Sequence, residues 1–251
     1  DGNIFDPQSG TTDLKNNNIK FIGDPQKRIE EDYLRIIRLI RFSIEYESEI
    51  DLKTIEITRY NLDGIKKISK ERILTELLKI LGTKNFVKIN NNKHLKNLFS
   101  LIFPELKNLE RLNQLQSISN ISNFDKATLL AVLLIDEKNN HEYFSYKYNI
   151  SNDLKGNLNL MAKNFLNFQL NKKFFLKKLK KNMYYFGKKH LKDLNILYFS
   201  DNRKLKLKDY LEIFNNIEKL YIPEFSFDGN YLKEQGVQEG VLIGKILKMI
   251  E

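Results

Sequence analysis

Asp32 and Arg35 stand three residues apart within the stretch that runs from Gly23 to Phe42, a carboxylate and a guanidinium spaced to emerge side by side from a helix. Such a pair accepts on one side and donates on the other. It matches the exocyclic amine of cytosine or adenine together with an adjacent ring acceptor, and it fits uracil or guanine badly. Glu31 and Arg28 stand at i,i+4 spacing to brace Arg35 and Asp32 respectively,. The same charges also describe an ordinary solvated helix face, whose ion pairs are worth about 0.3–0.5 kcal/mol each. The spacing alone leaves both readings open.

A helix has to carry these residues, and the sequence starts one well. Asp24 suits the N-cap, Pro25 suits the first helical position, and residues 30–32 put acid nearer the positive end than Arg35, Arg38 and Arg41,. At 3.6-residue spacing Ile29, Tyr33, Ile36, Ile37, Ile40 and Ile44 form one apolar face of a single helix, with Arg28, Glu31, Asp32, Arg35 and Arg38 on another,. Asp51 caps a second helix through about Tyr60, and residues 61–64 form the break after it,. Ser69 caps a third, with Ile68 and Ile73 at the positions of a hydrophobic staple and Gly82 at the end,. Its expected buried face is Ile73, Leu74, Leu77, Leu78 and Leu81, which leaves Arg72, Glu76 and Lys79 on other sides,.

The expected fold is mostly α. Residues 24–84 read as a compact helical neck, residues 85–150 as a helical body and residues 151–251 as a helical tail,. Ahead of them, residues 1–23 read as the end of a mixed domain, with Ile4-Phe5 and residues 19–22 as the strands of a short β-hairpin,. In the body, Leu95, Leu98, Phe99 and Ile102 share a stripe, and Asp125 caps a helix over residues 126–135 so uniformly apolar that it belongs in the middle of a core,. In the tail, Leu207, Tyr210, Leu211, Phe214, Ile217 and Tyr221 mark an amphipathic helix ended by Pro223,. Gly236, Gly240 and Gly244 would line one face of a further helix, suited to close packing or to an RNA backbone,.

The whole chain narrows the choice of partner. Its net charge of +10 over 251 residues favours a polyanion such as RNA,. The abundance of Lys, Asn and Ile, as in residues 16–18 and 90–92, would follow equally from an AT-rich genome. Cysteine is absent, which excludes disulfides and thiolate metal sites and suits a reducing, cytoplasmic setting,. No run reaches the roughly 18–20 apolar residues of a membrane span. His94, His141 and His190 have no second histidine at ligand spacing, so no metal site is expected in this chain,. Residues 172–192 interleave lysines, Lys177, Lys178, Lys180 and Lys181 among them, with aromatic residues such as Phe174, Phe175 and Tyr184. That pattern fits an RNA backbone site or a basic amphipathic helix pair with its aromatics in the core.

Three separated motifs, in order, carry a resemblance. Asp6-Pro7-x-x-Gly10-x-x-Asp13-Leu14 is followed by Gly23-Asp24-Pro25-x-x-Arg28-Ile29-x-Glu31-Asp32-x-x-Arg35-x-x-Arg38-x-x-Arg41-Phe42, and then by Ser69-x-Glu71-Arg72-Ile73-x-x-Glu76-Leu77-x-Lys79. Together they resemble the class II tRNA nucleotidyltransferases, the CCA-adding enzymes, and the bacterial poly(A) polymerases of the same family. The likeness is dense over residues 1–82 and thins to Phe103-Pro104-Glu105-Leu106 and a glycine pattern in the tail, where Tyr231 replaces a commonly acidic residue.

The resemblance implies a template-independent enzyme that adds C, C and A to tRNA 3′ ends, with tRNA, CTP and ATP as partners. Asp32 and Arg35 would pair with the incoming base, Glu31 would orient Arg35, and Arg28 and Arg38 would support the base pocket or the phosphates. Asp6, Gly10 and Asp13 would form a hinge between catalytic head and neck, and the hairpin would be a remnant of the α/β head. One departure matters for chemistry. The family's head holds Mg2+ on an Asp-x-Asp pair, and no Asp-x-Asp occurs in this chain. No catalytic residue is therefore assigned, and the chain is expected to be inactive alone, as the C-terminal part of a longer protein that lacks a head of roughly 130–150 residues. A poly(A) polymerase, or a non-enzymatic helical RNA-binding module, is the alternative.

Overall fold

Short polar side chains open helices where the sequence expects them. Asp51 Oδ1 accepts from the Thr54 N–H at 2.9 Å, Ser69 Oγ from Arg72 at 3.4 Å and Asp125 Oδ1 from Thr128 at 2.7 Å, each satisfying a donor that the helix itself leaves free. The computed structural model describes residues 2, 4–136, 138–170, 177–221, 227–238 and 240–250. Phe174, Phe175 and Pro223 lie outside the described residues.

The chain runs through α1 (Gly10–Lys15), α2 (Pro25–Glu31), α3 (Leu34–Glu45) and α4 (Leu52–Tyr60), and then a 3-10 turn over Leu62–Lys67. It continues through α5 (Lys70–Leu81), a second 3-10 segment (Phe86–Asn91), α6 (Lys93–Ile102), α7 (Arg111–Gln116), α8 (Lys126–Leu134) and α9 (Asn140–Tyr148). Then come α10 (Asn152–Leu170), α11 (Leu179–Asp201), α12 (Leu207–Lys219), α13 (Gly229–Glu234) and α14 (Val241–Ile250).

The core is one continuous cluster from Ile29 to Ile217. Helix α8 lies in it, every residue from Thr128 to Leu134 buried, because a helix apolar all round has no face to give to water. Helices α5, α9, α10 and α11 pack around it, and α11 also meets α7 and α12. At Gly187 (φ 76°, ψ 162°) α11 turns a corner, a backbone conformation that suits glycine. Toward the N-terminus, α3 lies along α5 and touches α6.

The expected β-hairpin is not formed. No strand occurs among the described residues, and the segment between its proposed strands contains α1. Ile4, Phe5 and Ile22 are exposed at 76%, 92% and 63%, and an isolated hairpin with nothing to pack on is marginal in water. Residues 19–22 are instead pinned to the main body, where the Ile19 N–H donates to Ser48 Oγ at 3.1 Å and Ile19 and Phe21 rest on the core.

Other expectations change in detail. The break expected over residues 61–64 runs on to Lys67 as a hydrogen-bonded 3-10 turn. In α5 Ile80 and Glu76 are buried, while Leu74 and Leu78 are only partly so. The tail glycines do not line one helix: Gly236 (φ 83°) and Gly240 (φ 138°) fall in the connection between α13 and α14. A Cβ added at Gly244 would meet nothing within 4 Å, so close packing is not its role. Tyr221 lies beyond the end of α12 and is 80% exposed.

Candidate functional site

The stretch expected to be one helix is two. Helix α2 ends at Glu31, Asp32 is extended (φ −155°, ψ 103°), and α3 begins at Leu34. Asp32 makes this break itself. Its Oδ1 accepts from the Leu34 N–H at 3.1 Å and its carbonyl accepts from Arg35 at 3.0 Å, the local bonding by which aspartate competes with a helix.

The 3-10 turn after α4 grips both sides of the break. Asn61 donates to Gln26 Oε1 of α2 at 2.8 Å, Gly64 comes so close to Tyr33 that an added Cβ would fall 2.0 Å from its ring, and Lys67 Nζ lies 5.4 Å from the ring centroid. Tertiary contacts therefore fix the break at Asp32 and Tyr33.

This changes which charges meet. Asp32 does not emerge beside Arg35 from a shared helix. Its carboxylate pairs with Arg72 of α5, whose guanidinium lies 3.1 Å from Oδ2 and 3.3 Å from Oδ1. Arg28, expected to brace Asp32, pairs with Glu31 instead. Glu31 Oε2 accepts from Arg28 and Arg35, both at 2.7 Å, and Arg35 also donates to the Arg28 carbonyl at 2.9 Å. Glu31 thus holds two guanidiniums together, and Arg35 is fixed at two points. The face stays open to water, with the Glu31 side chain half exposed.

One helical turn further along, Arg38 and Arg41 reach Glu76 of α5 at 3.6 and 3.0 Å, and Lys79 reaches it at 2.9 Å. Burial pushes the Glu76 pKa up, but the Lys79 hydrogen bond and the charges of Arg41, Lys79 and Arg38 outweigh it and hold the pKa below the usual glutamate value,. Sequence reasoning left Arg72 and Glu76 without a partner. Glu76 could have been found, since Ile73, Leu77 and Ile80 surround it on the buried stripe,. Nothing local links Arg72 to a residue forty positions earlier.

The proposed hinge residues form a local knot at α1. Asp6 accepts from Gly10 N–H at 2.6 Å, Thr11 N–H at 2.8 Å and Thr11 Oγ1 at 2.5 Å. These bonds, the Thr11 hydroxyl first, hold its pKa below the ordinary aspartate value,. Asp13 accepts from Asn18 and from Lys20, both at 2.9 Å. In the tail, Lys177, Lys178, Lys180 and Lys181 are exposed around the start of α11, with Lys181 Nζ 5.6 Å from the exposed Tyr185 ring.

Among the described residues no three histidine or acidic side chains stand close enough to hold a metal ion. Three carboxylates of this face are matched to cations: Glu31 to Arg28 and Arg35, Asp32 to Arg72, Glu76 to three basic side chains. Mg2+ needs free, clustered carboxylates, so these residues do not fit it.

Residues 49–110 match the family model described as a probable RNA and SrmB-binding site of polymerase A. The human mitochondrial CCA tRNA nucleotidyltransferase 1 is 40% identical over 106 residues, which cover 41% of this chain and 22% of the relative. The CCA-adding enzyme of Lactobacillus helveticus (strain DPC 4571) is 42% identical over 100 residues, covering 40% of this chain and 23% of the relative. The matched stretch is thus under a quarter of either relative. In fold, the chain is similar to a CCA-adding enzyme solved in complex with CTP, with a TM-score of 0.57, 21% identity, and coverage of 98% of this chain and 60% of that one. It is similar also to the Thermotoga maritima CCA-adding enzyme solved in complex with tRNA, with a TM-score of 0.57, 20% identity, and coverage of 95% and 60%. Sequence likeness over part of the chain and likeness in fold over nearly all of it are both to CCA-adding enzymes.

Proposed function

We propose that this chain selects the nucleotide and grips the tRNA for a template-independent nucleotidyltransferase that adds CCA to tRNA 3′ ends. The observation that carries the reading is Glu31 holding the guanidiniums of Arg28 and Arg35 at 2.7 Å, while the carboxylate of the next residue, Asp32, is held separately by Arg72 and the Leu34 N–H. Arg35 is presented as a fixed donor and Asp32 as a fixed acceptor. Cytosine and adenine each offer an exocyclic amine to the acceptor and a ring nitrogen to the donor, whereas uracil and guanine would set a carbonyl against the carboxylate. Such mismatches leave polar groups unpaired, which is how a hydrogen-bonding site rejects the wrong substrate.

In this reading residues 1–23 connect to a catalytic head, with Asp6, Gly10 and Asp13 as the hinge that lets the pocket change between C and A. Residues 24–84 are the neck, 85–150 the body and 151–251 the tail. Arg28 and Arg38 support the base pocket or the phosphates, and Lys177, Lys178, Lys180 and Lys181 meet the tRNA backbone. CTP, ATP and tRNA are the partners. Metal-assisted phosphoryl transfer needs carboxylates that these residues do not offer, so the part played here is selection and grip. A cytoplasmic site of action is part of this reading, although the human relative is named as mitochondrial.

The test joins the chain to a nucleotidyltransferase head and follows addition to tRNA that lacks its 3′ end. C and A should be incorporated and U and G refused; selection that survives both Asp32→Ala and Arg35→Ala would sink the reading. A poly(A) polymerase is the second reading, favoured by the polymerase A model that matches residues 49–110, and A-only products on a short primer would establish it. Salt-sensitive tRNA binding with no nucleotide dependence would point instead to an RNA-binding module without enzymatic work.

A further inference from the structure

Among the charges of the α2–α3 face, Arg72 stands out because it reaches the proposed base acceptor from another helix. Its guanidinium lies 3.1 and 3.3 Å from the two Asp32 oxygens, while the Leu34 N–H fixes Oδ1 from the chain's own backbone. Two donors at different angles set the plane of a carboxylate. A carboxylate has about four acceptor sites, so these contacts leave room for an incoming amine.

The pairing also separates the two halves of the reader. Asp32 and Arg35 are opposite charges three residues apart, and left to themselves they would neutralise each other. Arg72 takes Asp32 and Glu31 takes Arg35, so acceptor and donor are both held and neither is spent on the other. The Arg72 side chain is 52% exposed, and an ion pair this open to water adds little to stability. Its effect is geometric.

We propose that Arg72 is a positioning residue for nucleotide selection, keeping the Asp32 carboxylate oriented and apart from Arg35 so that bases bearing an exocyclic amine are preferred. This rests on the reading of Asp32 and Arg35 given above. The test measures equilibrium binding of CTP, ATP and UTP to the full 251-residue chain in the presence of tRNA lacking its 3′ end. It compares the unsubstituted chain with Asp32→Ala, Arg35→Ala, Arg72→Ala and Arg72→Lys, each checked for unchanged helicity and melting. The expected result is that Arg72→Ala reduces the preference for CTP over UTP by about fivefold or more, with partial rescue by Arg72→Lys, which restores charge without the planar fork. If Arg72→Ala keeps the preference while Asp32→Ala and Arg35→Ala lose it, this inference alone is overturned. If the unsubstituted chain shows no preference, or Asp32→Ala and Arg35→Ala retain it, the reading of the face fails and takes this inference with it. Loss of helicity in both Arg72 variants would overturn it in favour of a structural role.

Discussion

The Tyr33 ring and the Cα of Gly64 are in such close contact that a methyl group at residue 64 would lie 2.0 Å from two ring carbons. Tyr33 follows Asp32 at the break between α2 and α3, so this contact helps fix where the charged face bends. Gly64→Ala is expected to cost about 1–3 kcal/mol through overpacking, measured by chemical denaturation. An unchanged midpoint would mean that the ring moves aside freely and the break does not depend on this contact.

Glu76 gives a pH dependence whose sign follows from its surroundings. Its folded pKa lies below the usual 4.5, so its contribution is complete above that value and is lost as pH falls through the folded pKa. Glu76→Gln should be less stable by about 1–3 kcal/mol near neutral pH. Denaturation of both proteins across a pH series should show the gap closing in acid, and a gap that is flat with pH would contradict the buried ion network.

Asp125 starts the most buried helix. Its Oδ1 accepts from both the Thr128 N–H at 2.7 Å and the Thr128 hydroxyl at 2.8 Å, while Oδ2 pairs with Lys189 at 2.6 Å. Asp125→Ala should lower stability by about 1 kcal/mol, read from the thermal midpoint, with Asp125→Asn recovering most of it because the amide oxygen still caps the helix.

The lysines around the start of α11 make an electrostatic prediction. If Lys177, Lys178, Lys180 and Lys181 meet phosphates, replacing them with glutamine should weaken tRNA binding and flatten its log–log salt dependence by roughly one unit of slope per lysine. Filter binding across a salt series measures it. An unaltered slope would remove this patch from the RNA-binding surface.

Helix starts were legible because a cap is a local event: Asp24, Asp51, Ser69 and Asp125 each bond a backbone N–H three residues on. The buried α8 was equally plain from its unbroken apolar run. The break at Asp32 was not, since the apolar face continues through it as Ile29, Leu34, Ile37 and Ile40, all buried. Periodicity survives a bend when both halves face the same core. The hairpin expectation failed for a different reason: a short, mostly apolar stretch such as residues 19–22 reads as a strand, but a strand needs a partner, and among the described residues none exists.

By itself the sequence determined the helical class, the buried stripes, the capping sites and the family motifs, all of which depend on residue types at short spacing. Which charges face each other was decided by the tertiary structure. Asp32 meets Arg72, and Glu76 meets Arg38 and Arg41, because α3 lies along α5. Short-range spacing offers Asp32 only Arg28 and Arg35 as cations within a helical turn, and both are taken by Glu31. An ion pair forms with whichever partner the packed backbones bring within reach.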